Sequence, residues 1–196
     1  MKKKGWIWIS VALLIFALVA VLFLWPREQV LGQPTLTIET PQKVGVEETV
    51  ILDLTISDLG EVLYPAMSMS IRFDASRLEF LGVREGNVFV YDDENSVGRK
   101  LPEWNCNIDT SNKNGLINIM YLDMTGGKSA FSRELLEDSD NVVLRLEFRV
   151  RGSARENDVL DLILEDAVFA ASDEKKSLAM TTGTLKIRNG KIVVGE

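Results

Sequence analysis

The stretch SIRFDASRLEFLGVREG, Ser70–Gly86, decides how the rest of the chain is read. Ile71 and Phe73 alternate with Ser70 and Arg72, the period of a strand with one buried face. The alternation stops at Asp74, resumes at Leu78 and closes on Gly86. Asp, Ala and Ser at such a break favour a turn, because an Asp carboxylate accepts hydrogen bonds from nearby backbone N–H groups. The expectation is two strands held in register by the Asp74–Ser76 turn, with Phe73 and Leu78 buried on either side of it.

Working outward, the same period recurs. Val50, Leu52, Leu54 and Ile56 precede the stretch, and Met67 and Met69 lead into it. Ile117, Ile119 and Tyr121 follow, then Val142, Leu144, Leu146, Phe148 and Val150, then Leu160, Leu162 and Leu164. Weaker runs lie at 36–38, 78–83 and 184–187. Turn residues punctuate them at Asp58–Gly60, Asn112–Gly115, Gly126 with Gly127, Gly152 with Ser153, and Asn189 with Gly190. Short strands with one apolar phase and regular turns build a β-sandwich or jelly roll. Structureless loops as long as Asn87–Asn114 are uncommon, so irregular strands are expected around Val88–Tyr91 and Trp104–Ile108. Ser129–Asp140 is expected to hold one short helical turn.

The amino end has a different composition. Trp6–Trp25 carries no charge, and a helix of that length spans roughly 30 Å, one bilayer core. Lys2, Lys3 and Lys4 precede it, which holds the short amino end in the cytoplasm and exports the rest. A cleaved signal peptide has a shorter apolar region followed by a small-x-small site; the one such pattern here, Ala17–Ala20, lies inside the run. A pilin-like leader would resemble pilins in a Glu where this chain has Ser10. The expected layout is a cytoplasmic tail (1–5), a signal anchor (6–25), a linker (26–33) and one β-sandwich domain (34–196), extracytoplasmic on a single-pass membrane protein.

The chain holds 22 basic and 29 acidic residues, and setting aside the three amino-terminal lysines takes the net charge from −7 to about −10. That excess of acid argues against nucleic acid as a partner. Cys106 is the one cysteine, so no internal disulfide supports the fold. The chain has no His, which removes Ser-His and Cys-His nucleophiles and the usual zinc ligand sets. Acidic clusters such as Asp92–Glu94 carry no D-x-D-x-D-G calcium spacing and no sign of the burial that raises a catalytic carboxyl pKa. No catalysis, metal or cofactor is expected. Trp104 is the one Trp beyond the apolar run, too few for an aromatic sugar platform.

The ordered set of strands and turns resembles the cohesin module of bacterial surface proteins, a nine-stranded jelly roll that binds dockerin modules. The match rests on IRFDASRLEFLGVREG, in which Ala75 replaces the family's usual Pro. It extends to NGLINIMYLDMTGG (Asn114–Gly127), SDNVVLRLEFRVRGSA (Ser139–Ala154) and, more weakly, EDAVFAASD (Glu165–Asp173). The resemblance implies an all-β fold and a partner docked on one sheet face. Positions matching the family's contacts are Ser68, Met120, Asp123 and Gly126. Leu122 joins them because Met120 and Leu122 lie on the phase opposite Ile119 and Tyr121, as an exposed protein-binding patch requires. Whether Asn87–Asn114 covers that phase is open in the sequence. The polar pair that the family usually carries before the RFD stretch is reduced to Ala66 and Ser68, which leaves partner specificity open. The expected function is tethering of a dockerin-like or other surface protein, with a link to polysaccharide degradation. The alternatives are a carbohydrate-binding sandwich and a structural adhesin or pilus-associated subunit.

Overall fold

The alternating apolar phase closes between two sheets. The computed structural model describes residues 33–92, 98–126, 128–171, 180–181 and 184–195, so the expected membrane span lies outside the described residues. Among those described, no helix is long and apolar enough to cross a membrane. The strands are β1 (Thr35–Ile38), β2 (Thr49–Ile56), β3 (Ala66–Arg72), β4 (Leu78–Glu85), β5 (Val90–Tyr91), β6 (Arg99–Lys100) and β7 (Asn105–Cys106). Then come helix α1 (Ile108–Asn114), β8 (Leu116–Leu122), a 3-10 turn (Arg133–Leu135), β9 (Val142–Val150), β10 (Val159–Leu164), β11 (Val168–Ala170), β12 (Lys186–Arg188) and β13 (Gly190–Val193). One sheet runs β12-β1-β2-β9-β4. The other runs β13-β10-β3-β8-β7, with β11 also on β3, and β5 and β6 form a small ribbon.

Every residue of the strong apolar phase named above is buried. At about 25 cal/mol per Å² of apolar surface removed from water, this shared core is the main stabilising term. Rings fill much of it: Phe73 and Phe80 each lie 5.5 Å from Phe148, and Phe131 packs 5.0 Å from Tyr121 and 5.9 Å from Phe169. The expected helical turn in 129–140 is present at Arg133–Leu135.

Three expectations change. The strand count is thirteen among the described residues rather than nine, partly because the last strand breaks at Asn189. There the chain passes from the first sheet, where β12 runs parallel to β1, to the second, where β13 pairs with β10. The Asn189 side chain accepts from the Leu164 N–H at 2.9 Å across that break. Second, the Asp74–Ser76 turn does not hold paired strands in register: β3 belongs to one sheet and β4 to the other. It is a corner between layers. Asp74 accepts from Ser76 N–H at 2.9 Å and from Arg77 Nε at 2.7 Å; Phe73 and Leu78 are buried beside it as expected. Gly86 closes the stretch because a Cβ there would sit 1.9 Å from the Val142 carbonyl oxygen. Third, Asn112–Gly115 is the end of a helix rather than a free turn. Asn107 caps its start by accepting from the Thr110 N–H at 2.8 Å, and Gly115 ends it at φ 65.

A candidate docking face

The resemblance implies contacts at Ser68, Met120, Asp123 and Gly126, the strand period adds Leu122, and the structure brings four of the five to one exposed area. Ser68 stands directly opposite Met120, and Asn105 of β7 flanks Met120 on the other side. Leu122 stands opposite Ala66. Met120 is 47% and Leu122 49% exposed, and Met124 just past the strand is 84% exposed. Among the described residues, β7 therefore extends the sheet beside β8 and does not cover its outer face. Gly126, at φ 79, is exposed in the following turn, with open space where a side chain would stand. Farther across the sheet, Val159 and Ile163 are also exposed.

Polar groups between these side chains are largely engaged with one another. The Ser70 hydroxyl donates to Asn118 Oδ1 at 2.7 Å. Arg72 donates to both carboxylate oxygens of Glu165, at 2.7 and 3.0 Å. Around Met120 and Leu122 a partner meets apolar contacts and neutral amides and hydroxyls, while charged side chains of the same sheet stand farther off, at the Arg72–Glu165 pair and at Asp161 opposite Lys191.

Asp123 is placed differently from the other four. It is half-buried, and its carboxylate accepts from the N–H groups of Thr125 at 2.7 Å and Ser129 at 3.2 Å. Its own N–H donates to the Pro65 carbonyl at 2.7 Å. The residue matched to a family contact therefore anchors its own turn and presents the chain around Met124. Beside it, the phenol of Tyr121 is pushed up to about 12, first by burial and then by the nearby Asp123 and Glu103 carboxylates. Its hydroxyl donates to the Ser129 carbonyl at 2.5 Å. A shallow cleft at this end of β8 is lined by Glu103, Asn105, Tyr121, Leu122 and Met124 among others.

The outer face of the first sheet has opposite chemistry. Arg145 pairs with Asp53 at 3.0 Å, Arg84 with Glu147 at 2.7 Å and Arg149 with Glu79 at 3.5 Å. The Arg84 guanidinium holds the Glu147 carboxyl below the usual carboxylate range. Exposed pairs like these add little stability, but they leave the face charged, with Ile51, 44% exposed, set among them. The strand period alone does not distinguish the two faces. The signal lay in the outward phases: Asp53, Glu79, Arg84, Arg145, Glu147 and Arg149 on one sheet, Ser68, Asn118, Met120 and Leu122 on the other.

Aromatic rings do not supply a sugar platform among the described residues. Trp104 stacks on Phe131 at 6.0 Å with its edge toward Tyr121, and Tyr64, Phe73, Phe80, Phe148 and Phe169 are buried. No group of three or more acidic or Cys side chains among the described residues could hold a metal. Cys106 is half-buried on β7, and burial pushes its thiol up.

The family defined by the cohesin domain matches residues 34–187. The chain belongs to the cohesin family, whose modules are binding domains without catalytic activity. Solved structures of similar fold include the sixth cohesin of scaffoldin B from Acetivibrio cellulolyticus, crystallised with a Cel5 dockerin mutant. It is 18% identical, with a TM-score of 0.60 over 83% of this chain and 99% of that one. The OlpA cohesin of Clostridium thermocellum, in a type I cohesin–dockerin complex, is 16% identical at a TM-score of 0.60, covering 83% and 99%. The cohesin module of a family 33 glycoside hydrolase from Clostridium perfringens is 13% identical at 0.52, covering 83% and 97%. No curated protein matches the chain.

Proposed function

We propose that this chain is a membrane-anchored, extracytoplasmic cohesin that captures a dockerin module on the outer face of the β3–β8 sheet. The observation that carries the reading is the contrast between the two outer faces. One holds three ion pairs; the other exposes Met120 and Leu122, with Met124 beside them, among neutral polar groups, its Arg72–Glu165 pair lying at the other end of β3. Desolvating the ion-paired face would break charge pairs, whereas covering the apolar one removes hydrocarbon from water at small polar cost. Dockerin-bound relatives of the same fold support the class of partner. Capture near the membrane would raise the local concentration of an enzyme or surface protein carrying the dockerin, including one acting on polysaccharide, without altering its chemistry.

The test uses the full-length chain in membrane vesicles, probed with purified dockerin modules from the same organism. Saturable capture on sealed, outward-facing vesicles is the expected result, together with mass spectrometry of the membrane fraction showing a chain that retains Met1–Trp25. A mature amino terminus between Ala20 and Gln33 overturns the anchor. Failure to bind any dockerin in that set overturns the partner.

A further inference from the structure

Methionine sulfur is distributed unevenly over the described residues. Met67 is 1%, Met69 2% and Met180 4% exposed, all within the core, whereas Met120 and Met124 stand in solvent at 47% and 84%. Both exposed sulfurs belong to the same end of one face: Met120 lies in register between Ser68 and Asn105, and Met124 lies in the turn that Asp123 anchors. A thioether is a soft apolar group that adapts to varied partner surfaces, and its sulfoxide is a polar one.

We infer that Met120 and Met124 form an oxidation-sensitive site that turns this end of the face from apolar to polar while the core stays intact. The oxidant is a peroxide. The sulfur lone pair attacks one peroxide oxygen, the O–O bond breaks, an S–O bond forms and the second oxygen leaves as hydroxide, which takes the proton of the new S–OH group to give water and the sulfoxide. The sulfur loses two electrons and the peroxide gains them. Access decides which thioethers react, because the oxidant must reach sulfur and the other three methionines are buried. No backbone hydrogen bond depends on either exposed side chain, so the fold has no cause to change. The consequence for partner capture rests on the docking face proposed above; the oxidation itself does not.

The experiment treats the full-length, detergent-solubilised protein with dilute hydrogen peroxide and follows each methionine by peptide mass spectrometry. Met120 and Met124 are expected to oxidise at least about tenfold faster than Met67, Met69 and Met180, following exposure. The thermal midpoint of the oxidised protein should stay within a few degrees of the untreated one. Retention on a hydrophobic-interaction column is expected to fall after oxidation and to return after methionine sulfoxide reductase. The Met120→Leu, Met124→Leu double variant, which nearly conserves volume, should show no shift. Oxidation of the core methionines in parallel with the exposed pair overturns the inference, and so does unchanged retention of the oxidised wild type. Where a dockerin is captured by untreated protein, the oxidised form should bind it at least about tenfold more weakly, and equal binding also overturns the inference. If untreated protein captures none, the dockerin reading fails while the mapping and retention results still decide whether the site exists.

Discussion

Tyr121 and Asp123 stand two residues apart on the same side of one strand end, and the Asp123 carboxylate adds to burial in raising the Tyr121 phenol. The phenol of Tyr121 sits at about 12 in the fold, against about 10 for a tyrosine in water. A phenol keeps its neutral form below its pKa, so the folded state holds this proton over a pH range in which the unfolded chain releases it. The stabilisation is complete below pH 10 and is lost as pH rises toward 12. Thermal midpoints from pH 9 to 12 should therefore fall more steeply for the wild type than for Tyr121→Phe; parallel curves would remove this assignment. The outward phase of Met120 and Leu122 was legible from the period of β8, because alternation alone fixes which side chains share a face. The inward commitment of Asp123 was not. An acid that caps a turn and an acid that meets a partner are the same residue type following the same strand, and hydrogen-bond geometry is what separates them. Reversal of the Asp123 charge would thus disturb the turn as well as any docking contact, which makes Met120 and Leu122 the cleaner probes.

At the scale of elements, β4 is the open edge of its sheet, and Asn112 of α1 closes part of it. The Asn112 carboxamide accepts from the Phe80 N–H at 2.8 Å and donates to the Phe80 carbonyl at 2.8 Å, as a neighbouring strand would. Phe80 is fully buried, so both backbone groups lose their partner if Asn112 is truncated. Asn112→Ala should lower the unfolding free energy by about 2–3 kcal/mol, while Asn112→Asp, which can only accept, should fall in between. Urea titration measures both, and a neutral Asn112→Ala would mean that water replaces the side chain without cost. The sequence hid this helix because Ile108 is its one large apolar residue, leaving no 3.6 period to detect. Its caps, Asn107 and Gly115, were the available signal. The Asp74 corner was hidden for another reason: strand, turn, strand looks alike whether the second strand pairs with the first or crosses to the facing sheet.

Across the whole domain, the two sheets share a core and differ outside it. Alternation made the all-β sandwich and its buried set readable, since that pattern is local and survives without knowledge of strand order. Strand order and the contrast between faces were not readable, because they depend on which strands become neighbours. Once β2, β9 and β4 lie side by side, their outward charges find each other across strands, and once β3 pairs with β8 the small and neutral residues around Met120 and Leu122 leave those side chains uncovered. The central claim is that this second face, and not the charged one, receives the partner. Binding of a captured dockerin to Met120→Arg, Leu122→Arg and Ile51→Arg tests it most directly, because all three substitute a half-exposed apolar strand residue while only the first two stand on the proposed face. The account predicts that Met120→Arg and Leu122→Arg each weaken capture by about 2 kcal/mol, roughly thirtyfold, at unchanged thermal midpoint, and that Ile51→Arg binds like the wild type. Loss of capture in Ile51→Arg with full capture by the other two would contradict it.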